Sequence, residues 1–298
     1  MEKSVTNPFL LQDQTVHPAQ IDLPEELRKK VVILQCESEE GICKVYLVGT
    51  RHCSSQSCED VEAIIGFLKP DVVFLELCET RAYFCLKSGD HQLTVVPRFI
   101  DAKVATWRRN NSNAFATLLN LIMKKYRKQL GVGPVCEFQS AYREAKKYGG
   151  KVILGDRPIE ITDQRTWSKM TFWYKTKFVF IFVLLLAALS LVSVREDANN
   201  ENTESIEWHF PSMAETLLHE RDLYMASRLF EVAKECKSVV EVVGKGHVAG
   251  IQKNWKKPII IESLMEVEAA TSPSAVKLWI LVALAALGIA LFSVIWLK

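Results

Sequence analysis

The chain has little net charge. Its 37 Lys and Arg stand against 35 Asp and Glu, a formal balance of +2. That is too small to draw a polyanion, and no Lys/Arg block is long enough to do so locally, so nucleic acid is not an expected partner. Residues 1–20 hold Glu2 and Asp13 and no long apolar run, so neither a secretory signal nor an Arg-rich transit peptide is expected there. There are eight cysteines but no C-x-x-C pair. A chain of 298 residues is too long for a disulfide-stapled scaffold, so the thiols are read as reduced and mostly structural, and zinc binding by Cys53 and Cys58 has weak support. Apolar residues make up 49% and charged residues 24%, which is ordinary for a globular protein with a sizeable core in one large domain or two small ones.

Two long apolar runs are present. Leu278 to Leu297 is twenty residues without a charge, flanked by Lys277 and Lys298. As a helix it spans about 30 Å, the thickness of a bilayer's hydrocarbon core. Trp279 and Trp296 sit where interfacial anchors belong. A transmembrane tail anchor over residues 276–297 is expected, with lipid as its partner and the N-terminal bulk left in the cytosol. The second run, Phe178 to Val194, has seventeen uncharged residues and is followed by the charged, Asn-rich stretch Arg195 to Glu207. It is at the lower limit for spanning.

Residues 1–29 read as a flexible lead, and residues 30–270 as one domain. Val31–Leu34 and Val45–Val48 are β-branched and aromatic runs parted by an acidic turn, which predicts a hairpin. A helix follows, with Ser57 as N-cap candidate and Val61, Ile64, Ile65 and Leu68 at helical spacing. Val72–Leu75 is the next strand and ends in Glu76. Residues 99–130 and 136–148 read as helices, and Lys151–Leu154 as a strand leading into Gly155-Asp156-Arg157. Met213–Lys237 reads as a long helix and Ser238–Val243 as a buried strand. The expected class is α/β, with a central mixed, largely parallel sheet, flanking helices and a C-terminal transmembrane helix.

Two segments match each other. LVGTRH (residues 47–52) and VVGKGH (residues 242–247) both run apolar strand, Gly, two residues, His. The glycine permits a tight exit and the histidine projects from a loop at the strand's carboxyl end, where ligands gather in parallel sheets. His52 and His247 could offer two imidazoles to one divalent metal, with Glu76 as a carboxylate ligand and positions left open for water. Arg81, Glu137, Arg143, Asp156, Arg157, Glu220, Arg221 and Asp222 recur near strand ends or on helices. By composition alone, Glu220-Arg221-Asp222 reads as a solvated helix face.

The blocks VYLVGTRHCS (45–54), KPDVVFLELCETR (69–81), EFQSAYREAKKYGGKVILGDR (137–157) and LLHERDLYMASRLFEVAKECKSVVEVVGKGHVAGI (217–251) occur in this order. They resemble the TraB family, which takes in PrgY, GumN and Tiki-type proteins, across roughly residues 31–265. The phrase GKGHVAGIQKNW is similar to the eukaryotic branch, plants among its sources. The resemblance implies a metal-dependent protease or peptide-processing regulator, with His52, Glu76 and His247 at the metal. Glu76 or Glu137 would then move a proton, while Arg81, Arg157 and Arg221 would hold substrate or oxyanion. It equally implies an alternative, a catalytically silent, membrane-tethered adaptor for organelle contact or mitochondrial quality control. Its partners would be proteins, and a homo-oligomer is open. The outer mitochondrial membrane is favoured over the endoplasmic reticulum. Arg51 departs from the small residue usual in the first motif, and a guanidinium there could repel a cation. If residues 178–194 and 278–297 both spanned, His52 and His247 would be parted by a bilayer. The middle run is therefore expected to be buried, to lie along a membrane surface or to form an oligomer contact.

Overall fold

The computed structural model describes residues 23–51, 54–85, 136–171, 173–175, 177 and 211–267. A short helix α1 (Glu25–Arg28) precedes strands β1 (Val31–Ser38) and β2 (Gly41–Thr50). These form the expected hairpin, with Val31 opposite Val48 and Ser38 opposite Gly41. Gly41 takes φ +111°, a value that L side chains avoid, and Ser38 Oγ donates to its carbonyl at 3.0 Å.

Helix α2 (Ser55–Leu68) starts earlier than its apolar spacing indicated. Its N-cap is Ser54, whose side chain accepts from the Ser57 N–H. Ser57 Oγ instead accepts from Arg51 N–H at 3.0 Å, which fixes the exit from β2. Lys69 closes the helix in the left-handed conformation, ahead of Pro70. Strand β3 (Val72–Leu75) and helices α3 (Glu79–Cys85) and α4 (Cys136–Tyr148) follow, then strand β4 (Lys151–Leu154) and helix α5 (Ile159–Lys169). The long helix read over Met213–Lys237 is three pieces: α6 (Pro211–Ala214), a π turn (Glu215–His219) and α7 (Glu220–Ala233). Strand β5 (Ser238–Gly244) and helices α8 (Lys245–Asn254) and α9 (Ile261–Met265) complete the described chain.

The sheet order is β1-β2-β5-β3-β4, antiparallel only at β1–β2. This is the mixed, mostly parallel α/β sheet expected. The consecutive strands β2 and β3 are not neighbours, because β5 lies between them. Thr50 pairs with Gly244 and Leu75 with Val242, so three strands end along one edge.

Both sheet faces are covered, which is why the inner strands read as largely apolar runs, broken in β5 by Glu241. Val240 and Val242 pack with Val61, Ile64, Ile65, Phe138 and Ala141 from α2 and α4. Val239 and Val243 pack with Met225, Leu229 and Ile251 from α7 and α8. Strand alternation puts Glu241 on this second face. The helix read over 99–130 and both apolar runs, 178–194 and 278–297, lie outside the described residues. Among the described residues no helix is long and apolar enough to cross a membrane.

Candidate functional site

The second histidine does not stand on a free loop. Gly244 is the N-cap of α8, and His247 belongs to its first turn, buried at 6% exposure. In the first motif His52 lies outside the described residues, and Arg51 is exposed. The glycine of that motif answers a close approach: a Cβ on Gly49 would stand 2.9 Å from Val248 Cγ2 of α8. The two matched segments therefore pack against each other, β2 beside β5 and α8 over β2.

Glu76 follows β3 and is 3% exposed. Its Oε2 accepts from Gly244 N–H at 2.7 Å, placing a carboxylate at the positive end of α8. Its Oε1 lies 3.4 Å from His247 Nε2 and accepts from Arg221 Nη2. Arg221 rises from α7. Its Nε and Nη2 donate to the two oxygens of Asp156 at 3.0 and 2.9 Å, a bidentate pair, and its Nη1 lies 3.2 Å from His247 Nε2. Arg81 donates to Asp156 Oδ2 and, at 3.1 Å, to the Glu76 carbonyl. On the far side of the imidazole, His247 Nδ1 is 2.6 Å from Asp222 Oδ1. With Nδ1–H given to Asp222, Nε2 can accept from Arg221 or, once protonated, donate towards Glu76.

The electrostatics follow from these contacts. Burial alone would raise the Glu76 carboxyl, but the Arg221 guanidinium and the His247 bond outweigh it and hold it well below the usual carboxylate range. Burial opposes the imidazolium, yet the bonds to Asp222 and Glu76 raise His247. Burial raises Asp222, which its His247 bond offsets in part. Glu241 is fully buried on the same sheet face, and neither of its carboxyl oxygens has a hydrogen-bond partner among the described residues. Burial, with the negative Glu76 adding to it, pushes this carboxyl well above its ordinary value.

Glu76, Arg81, Arg221 and His247 are thus brought together, joined by Asp156 and Asp222. The solvated-face reading of Glu220-Arg221-Asp222 is overturned: Glu220 and Asp222 are 3% and 4% exposed. Arg157 is fully buried, and its donors are committed to Thr162 Oγ1, Glu220 and the carbonyls of Leu264 and Thr216. Glu220 also accepts from Arg165 and Lys169. Burial works against its charge, but these cations bring its carboxyl down to about 2. Arg143 is on the surface, paired with Glu62 at 3.1 Å.

Glu137 is buried in the first turn of α4 with Oε2 3.7 Å from Cys136 Sγ. Cys136 is disulfide-bonded to Cys58 of α2, which corrects the reading of these two thiols as reduced. Cys36, Cys43, Cys78 and Cys236 are buried and free, as expected of structural thiols. Glu241 escaped the sequence reading because an acid inside an apolar strand carries no spacing signal. Asp222 was visible as a charge, but its buried partner lies 25 residues away.

The donor set suits a divalent cation in part. His247 Nε2 and Glu76 Oε1 converge, and a carboxylate behind Nδ1 is the usual support of a ligating imidazole. Arg221 donates to Glu76 Oε1 and lies beside Nε2, so a cation there competes with its guanidinium.

The model of the TraB/PrgY/gumN family matches residues 36–258, which span every residue of this cluster. A mouse (Mus musculus) protein named "TraB domain-containing protein" is 30% identical over 259 residues, covering 79% of this chain and 68% of its own. Its Bos taurus namesake is 31% identical over 288 residues, covering 89% and 76%. An archaeal relative from Methanocaldococcus jannaschii, named as an uncharacterized protein, is 34% identical over 223 residues, covering 72% and 54%.

Proposed function

The chain belongs to the TraB/PrgY/gumN family, and from that premise we propose that it is a membrane-anchored, metal-dependent peptide hydrolase whose site faces the cytosol. The observation that carries this reading is the 3.4 Å convergence of His247 Nε2 and Glu76 Oε1, with Asp222 2.6 Å behind the imidazole. His247 and Glu76, joined by His52 of the first motif, would hold the ion, which would supply a Lewis acid and an activated water. Asp222 keeps Nε2 turned to the site. Gly244 N–H holds Glu76 in place, and the Arg221 guanidinium with the His247 bond keeps it ionised. Arg81 presents a guanidinium that can bind a peptide carboxylate or a developing oxyanion once substrate enters, and Arg221 would do so only by giving up one of its bonds to Asp156, Glu76 or the Leu217 carbonyl. Arg157, with all three of its side-chain nitrogens engaged, positions the segment that carries Asp156.

The outer mitochondrial membrane is the proposed location, with the endoplasmic reticulum as alternative. A second reading, a catalytically silent tethered adaptor, draws on one observation: Arg221 already satisfies the atoms that a cation would need. Metal analysis of the full chain purified in detergent separates the two. A near-stoichiometric divalent metal, lost in His247→Ala and Glu76→Gln, is expected of the hydrolase. A metal-free, well-folded wild type would favour the adaptor.

A further inference from the structure

The covalent bond between α2 and α4 joins two elements at the exit of β2. Cys58 lies in the first turn of α2, next to the N-cap Ser54, and Cys136 opens α4. Cys136 Sγ is 3.9 Å from the Ser54 carbonyl oxygen and 3.7 Å from Glu137 Oε2. The two sulfurs and a Glu137 oxygen all lie within 4.8 Å of one another. In a tetrahedral zinc site with Zn–S of about 2.3 Å and Zn–O of about 2.1 Å, neighbouring ligand atoms stand roughly 3.5–3.8 Å apart. The Cys136–Glu137 separation already has that value. The Cα atoms of the cysteines are 6.1 Å apart, close enough for both sulfurs to face one ion without moving either helix. Both cysteines are partly exposed while Glu137 is buried, so the sulfurs can be reached from solvent against a fixed carboxylate.

From this arrangement we infer that Cys58, Cys136 and Glu137 form a redox-gated zinc site. Oxidised, the two sulfurs bond to each other and the site is closed. A dithiol reductant opens it: two electrons and two protons pass to the sulfurs, giving two thiols, while the reductant becomes a disulfide. Zinc then binds as both thiols lose their protons, so that two thiolates and one carboxylate surround the ion and water completes the tetrahedron. Thiolates select a soft divalent ion over magnesium or calcium. The site is chemically distinct from the His247–Glu76 pair, which contains no sulfur, and it does not depend on the hydrolase reading. A protein facing a reducing compartment would hold the open form.

Cobalt(II) as a probe separates this site from every thiol-free one, because thiolate ligation gives an intense sulfur-to-cobalt charge-transfer absorption in the near ultraviolet. The full chain in detergent is reduced with a water-soluble phosphine, which takes the oxygen of a water as the two thiols form. The reductant is then removed without air. The reduced wild type is expected to develop the band on titration with cobalt and to lose it when zinc is added; the oxidised protein shows none. The band disappears in Cys58→Ser and Cys136→Ser, weakens in Glu137→Gln and persists in His247→Ala. Circular dichroism of the reduced wild type, compared with the oxidised form, controls for folding within one sequence. Absence of the band in reduced, folded wild type overturns the inference, as does its survival in the double cysteine variant. Neither result bears on metal binding at His247.

Discussion

Glu241 holds a fully buried carboxyl without a bonding partner among the described residues. Such a group survives in an apolar interior only as the neutral acid. In the unfolded chain it ionises near pH 4.3. In the folded chain burial, and then the negative Glu76, hold its proton to well above that value. Between the two values the unfolded state releases a proton that the folded state keeps, so stability falls as pH rises. Glu241→Gln removes this proton. Urea unfolding of variant and wild type is expected to give equal midpoints near pH 4. The variant is more stable at pH 8, the gap widening by about 1.4 kcal/mol per pH unit until the folded group titrates. Equal midpoints at pH 8 would mean that the carboxyl finds a charged partner. At this scale five residues of the His247 cluster were legible in the sequence: Glu76, Arg81, Asp156, Arg221 and His247 stand at strand ends or in blocks with recognisable spacing. It misread Asp222, because helical charges look solvated until a second helix covers them. Glu241 it did not show at all, since burial is a property of the packed sheet.

The elements carry the site by close approach. Helix α8 crosses α7 so tightly that a Cβ on Gly250 would stand 1.8 Å from Asp222 Oδ2 and 2.9 Å from its Cβ. Asp222 is the residue that orients His247. Gly250→Ala should therefore push the carboxylate off the imidazole and destabilise the fold by about 1–3 kcal/mol, the usual range for overpacking. It should also lower metal content in the assay that tests His247→Ala. Ala249→Ser, one residue away on the exposed side of α8, should change neither. A Gly250→Ala variant with native stability and metal content would show that α7 and α8 separate without loss. The π turn Glu215–His219 leads into Glu220, Arg221 and Asp222 of α7, and its extra residue sets the face on which they emerge. Strand runs and the helix over 136–148 were readable from their periodicity. The π turn, the helical setting of His247 and the insertion of β5 between β2 and β3 were not, because backbone phase and strand order depend on contacts far apart in the chain.

At the scale of the whole molecule, the sheet constrains any membrane arrangement. Strand β5 pairs with β2 on one side and β3 on the other, so residues 44–50, 72–75 and 238–244 belong to one hydrogen-bonded layer. A bilayer cannot pass between hydrogen-bonded neighbours, since each strand would expose unpaired backbone groups to lipid. We therefore predict that the apolar run 178–194 is not a single crossing, although its composition alone would permit one. If the run 278–297 crosses, it reverses sides once and leaves the strand-end site on the face opposite Lys298. Protease protection in intact organelles reads this directly. Epitope tags are placed in the exposed β1–β2 turn at Glu40, in the exposed segment at Lys256-Lys257 and after Lys298. Both internal tags should be digested together, while the C-terminal tag survives until detergent is added. One internal tag protected and the other digested would contradict the single-layer sheet, because β2 and β5 would then face different compartments.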